Sequence, residues 1–577
     1  MKKFFTLLFT LFLVASSYAS TKIGDLYYNL NESVGTAEVT YLSENNFDNI
    51  KYVSGAVTIP ETVVSGGKTY RVTSIGDNAF SLCKEMTSVS IPSSVTSIGN
   101  VAFHNCYGLE TVVIPNSVTT IGNQAFGACG KLKSVTLSSS LKSMGFAVFA
   151  SSALTSIVLP NTLTEIPDNA FYSCYSLSSV TIPGTVKSIG DQAFRYCIEL
   201  GRVDIPSSVT SIGYAAFDYC SKMQAIEVAP GNSNFCSVDG VLFSADKTQL
   251  LAFPGGLEID YTVPSTVTEI GEVAFCQNRV LKSVTIPNSV QEIGDAAFWY
   301  CAGLTSLTIP ESVTKIGEVA FIGCEGLQSI NVAPGNSNYC SVDGVLFSAD
   351  KKQLLAFPAA VGGDYTIPSS VTEIGIEAFA FATGLKSVNF PNSLRTIGMQ
   401  AFYECWGLEN IEIPAKVTEI GDYAFYECKS LKSITFNSKK DFNLGTGVFF
   451  YCNAIEKIRL YTPTPPTTDG SYLFSSEIYP VAELYVPGQS RLDYGKTLPW
   501  SNFTNLIGFY VVDDGDDDDD DDDDDTEAVE AVTFDTVVNA DVYTTSGLLV
   551  VRNASEQEVR ALSPGLYIIG GKKVVIR

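Results

Sequence analysis

The sequence predicts a mainly β fold: a solenoid of about fourteen coils of 23 residues, with two hairpin insertions and a small C-terminal β module. Three observations predict it. One phrase, typified by LKSVTIPNSVQEIGDAAFWYC at 281–301, recurs along most of the chain. Inside it apolar residues alternate as in a strand with one buried face. Pro and Gly return at fixed places, where each coil has to turn.

The chain opens with MKKFFTLLFTLFLVASSYAS. Two lysines, an apolar stretch from Phe4 to Val14 and then small residues give the layout of a secretory signal peptide, residues 1–19, with the cut between Ala19 and Ser20. The apolar stretch is too short to span a bilayer comfortably, and no comparable run follows. Residues 20–70 carry DLYYNL, AEVTYL and GAVTIPETVVSGGKTYRVTSIG, short strands that read as an N-terminal cap. Solenoids need such atypical terminal units to cover an exposed core.

The repeats occupy residues 71–454, and the Phe of each AF pair marks them. Markers fall at Phe80, Phe103, Phe126, Phe149, Phe171, Phe194 and Phe217, then Phe275, Phe298 and Phe321, then Phe379, Phe402, Phe425 and Phe449. The ordinary step is 23 residues and the two long steps are 58. Leu109, Val112 and Ile114 follow an LxxLxL spacing that turns an apolar face inward, and Pro115 ends that strand because proline cannot continue a ladder. Val118 and Ile121 supply a second short extended segment. Gly122 is expected to turn the chain, where a residue without Cβ costs least. Ala125 and Phe126 close the coil. Stacked at about 4.8 Å per coil, fourteen repeats plus caps would extend on the order of 75 Å.

Eleven markers have a cysteine three residues later: Cys83, Cys106, Cys129, Cys174, Cys197, Cys220, Cys301, Cys324, Cys405, Cys428 and Cys452. The other three have Ser152, Asn278 and Ala382. A catalytic thiol is singular and has a base beside it. These are many and interchange with small residues, so they read as a structural ladder, with disulfides between neighbouring coils left open.

TSVSIPSSVTSIGNVAFHNC, LSSVTIPGTVKSIGDQAFRYC and LTSLTIPESVTKIGEVAFIGC closely resemble the repeat of BspA-like leucine-rich repeat proteins, over roughly residues 71–460. The resemblance implies a leucine-rich-repeat solenoid on a bacterial surface or secreted protein, of the kind implicated in adhesion to host matrix proteins, host cells or other bacteria.

The long steps contain near copies of one insert, VAPGNSNFCSVDGVLFSADKTQLLAFP at 228–254 and VAPGNSNYCSVDGVLFSADKKQLLAFP at 332–358. VLF and LLAF flanking SADK predict a β-hairpin projecting from its coil, and Asp239-Gly240 and Asp343-Gly344 add turn signals. Duplication suffices to explain the pair; the alternative is a bivalent feature.

Residues 455–512 read as a C-terminal cap, with Trp500 and Phe503 covering the last coil. An acidic linker at 513–530 follows, holding twelve aspartates between Asp513 and Asp525. Like charges in a block cannot pack, which makes the run a solvated spacer of roughly 40 Å. Residues 531–577 form a small β-rich domain, in which Val542–Gly547 and Gly565–Val575 resemble the C-terminal sorting domain of type IX secretion. That resemblance implies contact with secretion machinery during outer-membrane export; a degenerate remnant is the alternative.

Composition narrows the function. A net charge of −26 disfavours nucleic acid and anionic membranes as partners. The single histidine, His104, sits within a repeat, so triad and Cys-His chemistry lack a base. No C-x-x-C pair, phosphate loop or HExxH helix occurs, and no cofactor or metal is expected. Ser134, Thr136, Ser179, Thr181, Ser283, Thr285, Ser306 and Thr308 should face solvent as β-compatible filler. More distinctive are the aromatics beside the cysteines: Tyr196, Tyr219, Trp299, Tyr300, Tyr403, Trp406, Tyr426 and Tyr451. On an exposed loop row they form a candidate protein- or sugar-binding stripe; the bland alternative is padding between coils. The expectation is an exported, non-enzymatic adhesin of the cell surface or medium that binds an extracellular protein or glycan. The alternatives are a structural surface spacer and a polysaccharide-processing enzyme with a cryptic acid pair.

Overall fold

A computed structural model describes residues 20–41, 53–468 and 472–510, together with the strands Val532–Thr533, Ala540–Thr544, Leu549–Ala554, Gly565–Ile569 and Lys572–Ile576. Residues 1–19, expected to be a signal peptide, the aspartate run, and residues 545–548 and 570–571 of the C-terminal module lie outside the described residues. The chain divides into two units, Met1–Leu257 and Glu258–Arg577.

In the first unit Thr21–Ile23, Leu26–Asn31 and Thr36–Thr40 form an antiparallel meander, and Thr36–Thr40 pairs in parallel with Lys68–Ile75. From there the pairing is between coils. Ile75, Ile98, Ile121 and Met144 follow one another in register along one parallel ladder. Val57, Val89, Val112 and Val135 do so along a second. A third line of bonds runs through the AF segment, where Val101, Phe103 and Asn105 donate N–H to the carbonyls of Asn123, Ala125 and Gly127 at 2.7, 2.7 and 2.9 Å. Coils are thus bonded to their neighbours on three sides, which is how so short a coil satisfies its backbone.

The apolar positions face the interior: Leu109, Val112, Ile114, Val118, Ile121, Ala125 and Phe126 are all buried. Marker rings stack from coil to coil, Phe80 on Phe103 at 5.1 Å and Phe103 on Phe126 at 5.0 Å, with planes within 12° of parallel. Such pairs add about 0.5–1.5 kcal/mol beyond the area they bury. The hydroxyl strand face is exposed at Ser134, Thr136, Ser179, Thr181, Thr285, Ser306 and Thr308, and half-buried at Ser283.

The repeated glycine has a different reason from the expected one. Gly122 is not among the left-handed residues. A Cβ there would sit 2.5 Å from the Asn100 nitrogen and 2.6 Å from the Gly99 carbonyl carbon of the coil before. Close approach excludes a side chain, and where Asn or Asp follows, it uses that approach: the Asn100 side chain oxygen accepts from the Asn123 N–H at 2.8 Å, and Asp191 after Gly190 and Asp168 after Pro167 repeat the contact. The left-handed positions lie instead two residues before and after each marker, as at Val101 (φ 58°) and Asn105 (φ 60°).

In the second unit the same ladders run through Ile374, Ile397, Ile420 and Leu444, and through Val388, Ile411, Ile434 and Ile458. The stack ends on Phe474, which lies 5.5 Å from both Phe449 and Phe503. Trp500 is fully buried at 5.8 Å from Phe474, its indole N–H donating to the Pro466 carbonyl. The four strands from Ala540 to Ile576 form one antiparallel sheet.

The insertions do not project. Each is a three-stranded antiparallel meander, Phe235–Val238, Val241–Ser244 and Gln249–Ala252 in the first unit, and Tyr339–Val342, Val345–Ser348 and Gln353–Ala356 in the second. In the second, Leu354 pairs in parallel with Ile374 as a coil strand would. Val345, Leu346 and Phe347 are buried, and Phe357 stacks on Phe379 at 4.7 Å. Leu354 and Phe357 of QLLAF feed the core, so the LLAFP phenylalanine acts as a further marker.

Candidate ligand-binding surface

The thiols and the aromatics both grow from the AF segment. Cys106 donates to the carbonyl of Phe80 at 3.0 Å, Cys129 to Phe103 at 3.1 Å, Cys174 to Phe149 at 3.1 Å, Cys197 to Phe171 at 3.3 Å and Cys220 to Phe194 at 3.2 Å. In the second unit Cys301, Cys324, Cys405, Cys428 and Cys452 repeat the bond to Phe275, Phe298, Phe379, Phe402 and Phe425, at 2.9–3.3 Å. Cys83, in the first marker coil, is buried as well. Burial pushes Cys83 and Cys174 up to about 11 and Cys129 and Cys324 up to about 12. Protonated, enclosed thiols of this kind are poor nucleophiles and metal ligands. Where the ladder lacks cysteine, Ser152 contacts the Cys174 sulfur at 3.3 Å, and the Asn278 side chain accepts from the Leu281 N–H at 2.7 Å.

Except for Trp406, which follows Cys405, the aromatic residues occupy the first or second position after a marker, and the second has left-handed backbone at Tyr196, Tyr219, Tyr300, Phe381 and Tyr451. In the first unit Tyr172, Tyr196 and Tyr219 form a short series, with centroids 5.5 and 4.1 Å apart. The Arg195 guanidinium lies 5.2 Å from the centroids of both Tyr196 and Tyr219 and 3.3 Å from buried Asp218.

The second unit holds the longer row. Tyr300 meets Phe381 at 5.2 Å, Phe381 meets Tyr403 at 5.5 Å, and Tyr403 meets Tyr426 at 5.0 Å with planes 1° apart. The row continues to Tyr451 at 5.4 Å and Phe450 at 6.3 Å. Trp299 packs edge-on against Tyr300 at 4.8 Å. Trp406 is not part of the row: it is 41% exposed, with the Lys429 ammonium 4.2 Å from its ring centroid. Tyr300, Phe381, Tyr403, Tyr426 and Phe450 are half-buried instead of exposed as expected, because each ring covers its neighbour, and Tyr451 at the end of the row is exposed as expected.

Phe381, Phe450 and Tyr172 were not among the residues singled out from sequence. Their signal was available, since all three sit one or two places after a marker. Carboxylates flank the row. Burial, with Glu404, Glu377 and Glu325 nearby, pushes the Tyr300 hydroxyl up to about 12, and burial together with Glu404 and Glu427 raises Tyr403 further. The phenols therefore stay neutral donors beside carboxylate acceptors, a combination suited to stacking and hydrogen bonding with a polymer ligand. His104 is half-buried, its Nδ1 2.7 Å from the Asn105 amide, and burial lowers its pKa. Among the described residues no three His, Cys, Asp or Glu side chains gather to hold a metal, and no helix is long and apolar enough to cross a membrane.

The family model described as BspA type leucine rich repeat region matches residues 68–178, 164–259, 252–348 and 363–478. Among solved structures the chain is similar to a leucine rich cell surface protein from Faecalibacterium prausnitzii, at 26% identity over 77% of this chain and 95% of that one, with a TM-score of 0.44. A leucine-rich repeat protein from Bacteroides ovatus is 26% identical over 76% and 94% of the two chains, with a TM-score of 0.41. The pneumococcal vaccine antigen PcpA is 18% identical over 85% of this chain and 99% of its own, with a TM-score of 0.31. No curated protein matches the chain.

Proposed function

The chain belongs to the BspA-type leucine-rich repeat family, and on that premise we propose that it is an exported binding protein of the cell surface that holds an extracellular protein or glycan against its aromatic row. The observation that carries this reading is the unbroken series Tyr300–Phe381–Tyr403–Tyr426–Tyr451. A large preorganised aromatic surface gains affinity on contact at little cost in side-chain entropy. Glu404 and Glu427 beside it offer acceptors to sugar hydroxyls or to basic side chains.

The leader-like residues 1–19, cut before Ser20, and the sorting-like module at 531–577 supply the export part of the proposal, with the acidic run at 513–530 as the spacer between cargo and address. No catalytic step belongs to it: the thiols serve the fold, Trp299 and Trp406 add contact area in the second unit, and Tyr196 and Tyr219 form a patch of their own in the first.

The test is solid-phase binding of the purified full chain to an array of matrix proteins and glycans at low and high salt. Saturable binding to a defined ligand is the expected outcome. Absence of binding across the array would favour a surface spacer, and product release from a glycan would favour an enzyme.

A further inference from the structure

In an uninterrupted coil, three N–H groups around the marker donate to alternate carbonyls of the next coil. Ala296, Phe298 and Tyr300 do so to Glu318, Ala320 and Ile322, at 3.0, 2.8 and 2.8 Å. The coil of Phe321 comes just before the second insertion, and there the series stops. Among the described residues no acceptor meets the N–H of Val319, Phe321 or Gly323. The short strand Lys315–Ile316 likewise ends its sheet, pairing with Glu292–Ile293 on one side only. Ile316 is half-buried, whereas Ile293 on the preceding coil is buried completely.

A cleft of about 400 Å³ opens at this break, between Ile316–Ile322 on one wall and Leu355–Ala359 with Gly375–Ala380 on the other. That volume falls within the usual range of ligand sites, roughly 300–1,000 Å³. One end of the break is spanned by the Tyr300 ring, which passes Gly323 and reaches Phe381. A Cβ on Gly323 would come 2.7 Å from that ring. Ile322, Leu346 and Phe357 give the cleft apolar floor, and Glu318, Glu373 and Glu377 give it negative charge. The Glu377 carboxyl has no ion-pair or hydrogen-bond partner among the described residues, and burial raises its pKa.

We propose that this cleft takes an extended peptide segment carrying a Lys or Arg side chain. Its alternate carbonyls accept from Val319, Phe321 and Gly323, as the next coil does elsewhere, and its cation faces Glu377. Donors at every second residue select a peptide backbone over a sugar, whose hydroxyls have no such repeat; adding a strand to an open edge, here that of Lys315–Ile316, is an established mode of peptide recognition. The carboxylates select a basic segment over an acidic one. This site is separate from the exposed part of the aromatic row and does not depend on what the row binds.

The experiment uses the full chain and a fluorescein-labelled peptide, KQAFRSAK, with its Lys and Arg replaced by Gln in a second version. Fluorescence anisotropy reads binding, and amide hydrogen exchange reads residues 319–323. The expected result is saturable binding, at least tenfold slower exchange at Val319, Phe321 and Gly323, and about tenfold weaker binding for the neutral peptide and for Glu377→Gln. Ala356→Trp, which fills the cleft, should abolish binding while leaving the thermal transition in place. If that variant does not fold, the exchange data and Glu377→Gln decide. Absence of saturable binding, unchanged exchange at 319–323, or equal affinity for the neutral peptide would overturn the proposal.

Discussion

Tyr403 and Tyr426 stand 23 residues apart, with ring centroids 5.0 Å apart and planes 1° from parallel. The separation is close to the strand spacing of about 4.8 Å. Side chains at one coil position are therefore delivered to stacking distance by the repeat itself. The same translation places Phe402 on Phe425 at 4.9 Å inside the core. One period thus builds an inner ladder of markers and an outer row of tyrosines.

The glycine before each marker should resist substitution for reasons of contact. Gly122→Ala would drive a Cβ to 2.5 Å from the Asn100 backbone nitrogen, and its cost should be about 1–3 kcal/mol. Gly184 has nothing within 4 Å of the equivalent position, so Gly184→Ala should stay within about 0.5 kcal/mol. Urea unfolding of the two variants beside the parent chain checks this; equal losses would contradict it.

Twelve of the fourteen cysteines are buried, and only Cys236 and Cys340 are half-buried. A thiol reagent applied to the native chain at pH 8 should therefore modify two sites quickly and the rest only after denaturation. Mass spectrometry counts them. A third site labelled at the fast rate would mean that the ladder opens more readily than its burial implies.

Val101, Val273 and Val319 hold left-handed backbone at φ 58°, 51° and 54°, a conformation that β-branched residues tolerate poorly. Val101→Asn should relieve part of that strain and raise stability by roughly 0.5–1 kcal/mol. Differential scanning calorimetry should show a higher midpoint; a lower one would mean that valine packing outweighs the backbone term.

Burial raises the Glu377 carboxyl from its ordinary 4.5 to about 7. Between those values the folded chain keeps a proton that the unfolded chain has lost. Its contribution is fully favourable below about pH 4.5 and is lost as the pH rises through about 7, at a cost on the order of 3 kcal/mol at most. Glu318 and Glu373 line the same cleft. Glu377→Gln should therefore stabilise the chain more at pH 8 than at pH 4. Denaturant titrations of both proteins at the two pH values decide; an equal effect would remove the buried charge from the account.

The solenoid was legible in the sequence because a solenoid repeats its contacts as it repeats its residues. Phe126, Ile121 and Val112 have the same neighbours in every coil, so periodicity alone assigns their burial. Gly122 was read for the right residue and the wrong cause, since one coil read by itself does not show how closely the next approaches. The insertions were misread for a related reason: SADK marks a turn, but only the partner strand at Ile374 shows that QLLA rejoins the stack. Tyr403 and Tyr426 share a position in the repeat and were found through it. Phe381 lacks the signal that marks them, because its coil has Ala382 where theirs have cysteine.

The central claim is that the row binds a ligand, and a Tyr403→Ala/Tyr426→Ala double variant tests it most directly. Its affinity for whichever array ligand the parent chain binds should be measured by biolayer interferometry, with the thermal midpoint of both proteins recorded alongside. The account predicts at least a tenfold loss of affinity, about 1.4 kcal/mol or more, with both repeat units still folded. Unchanged affinity in a folded double variant would contradict it and leave the row as packing between coils.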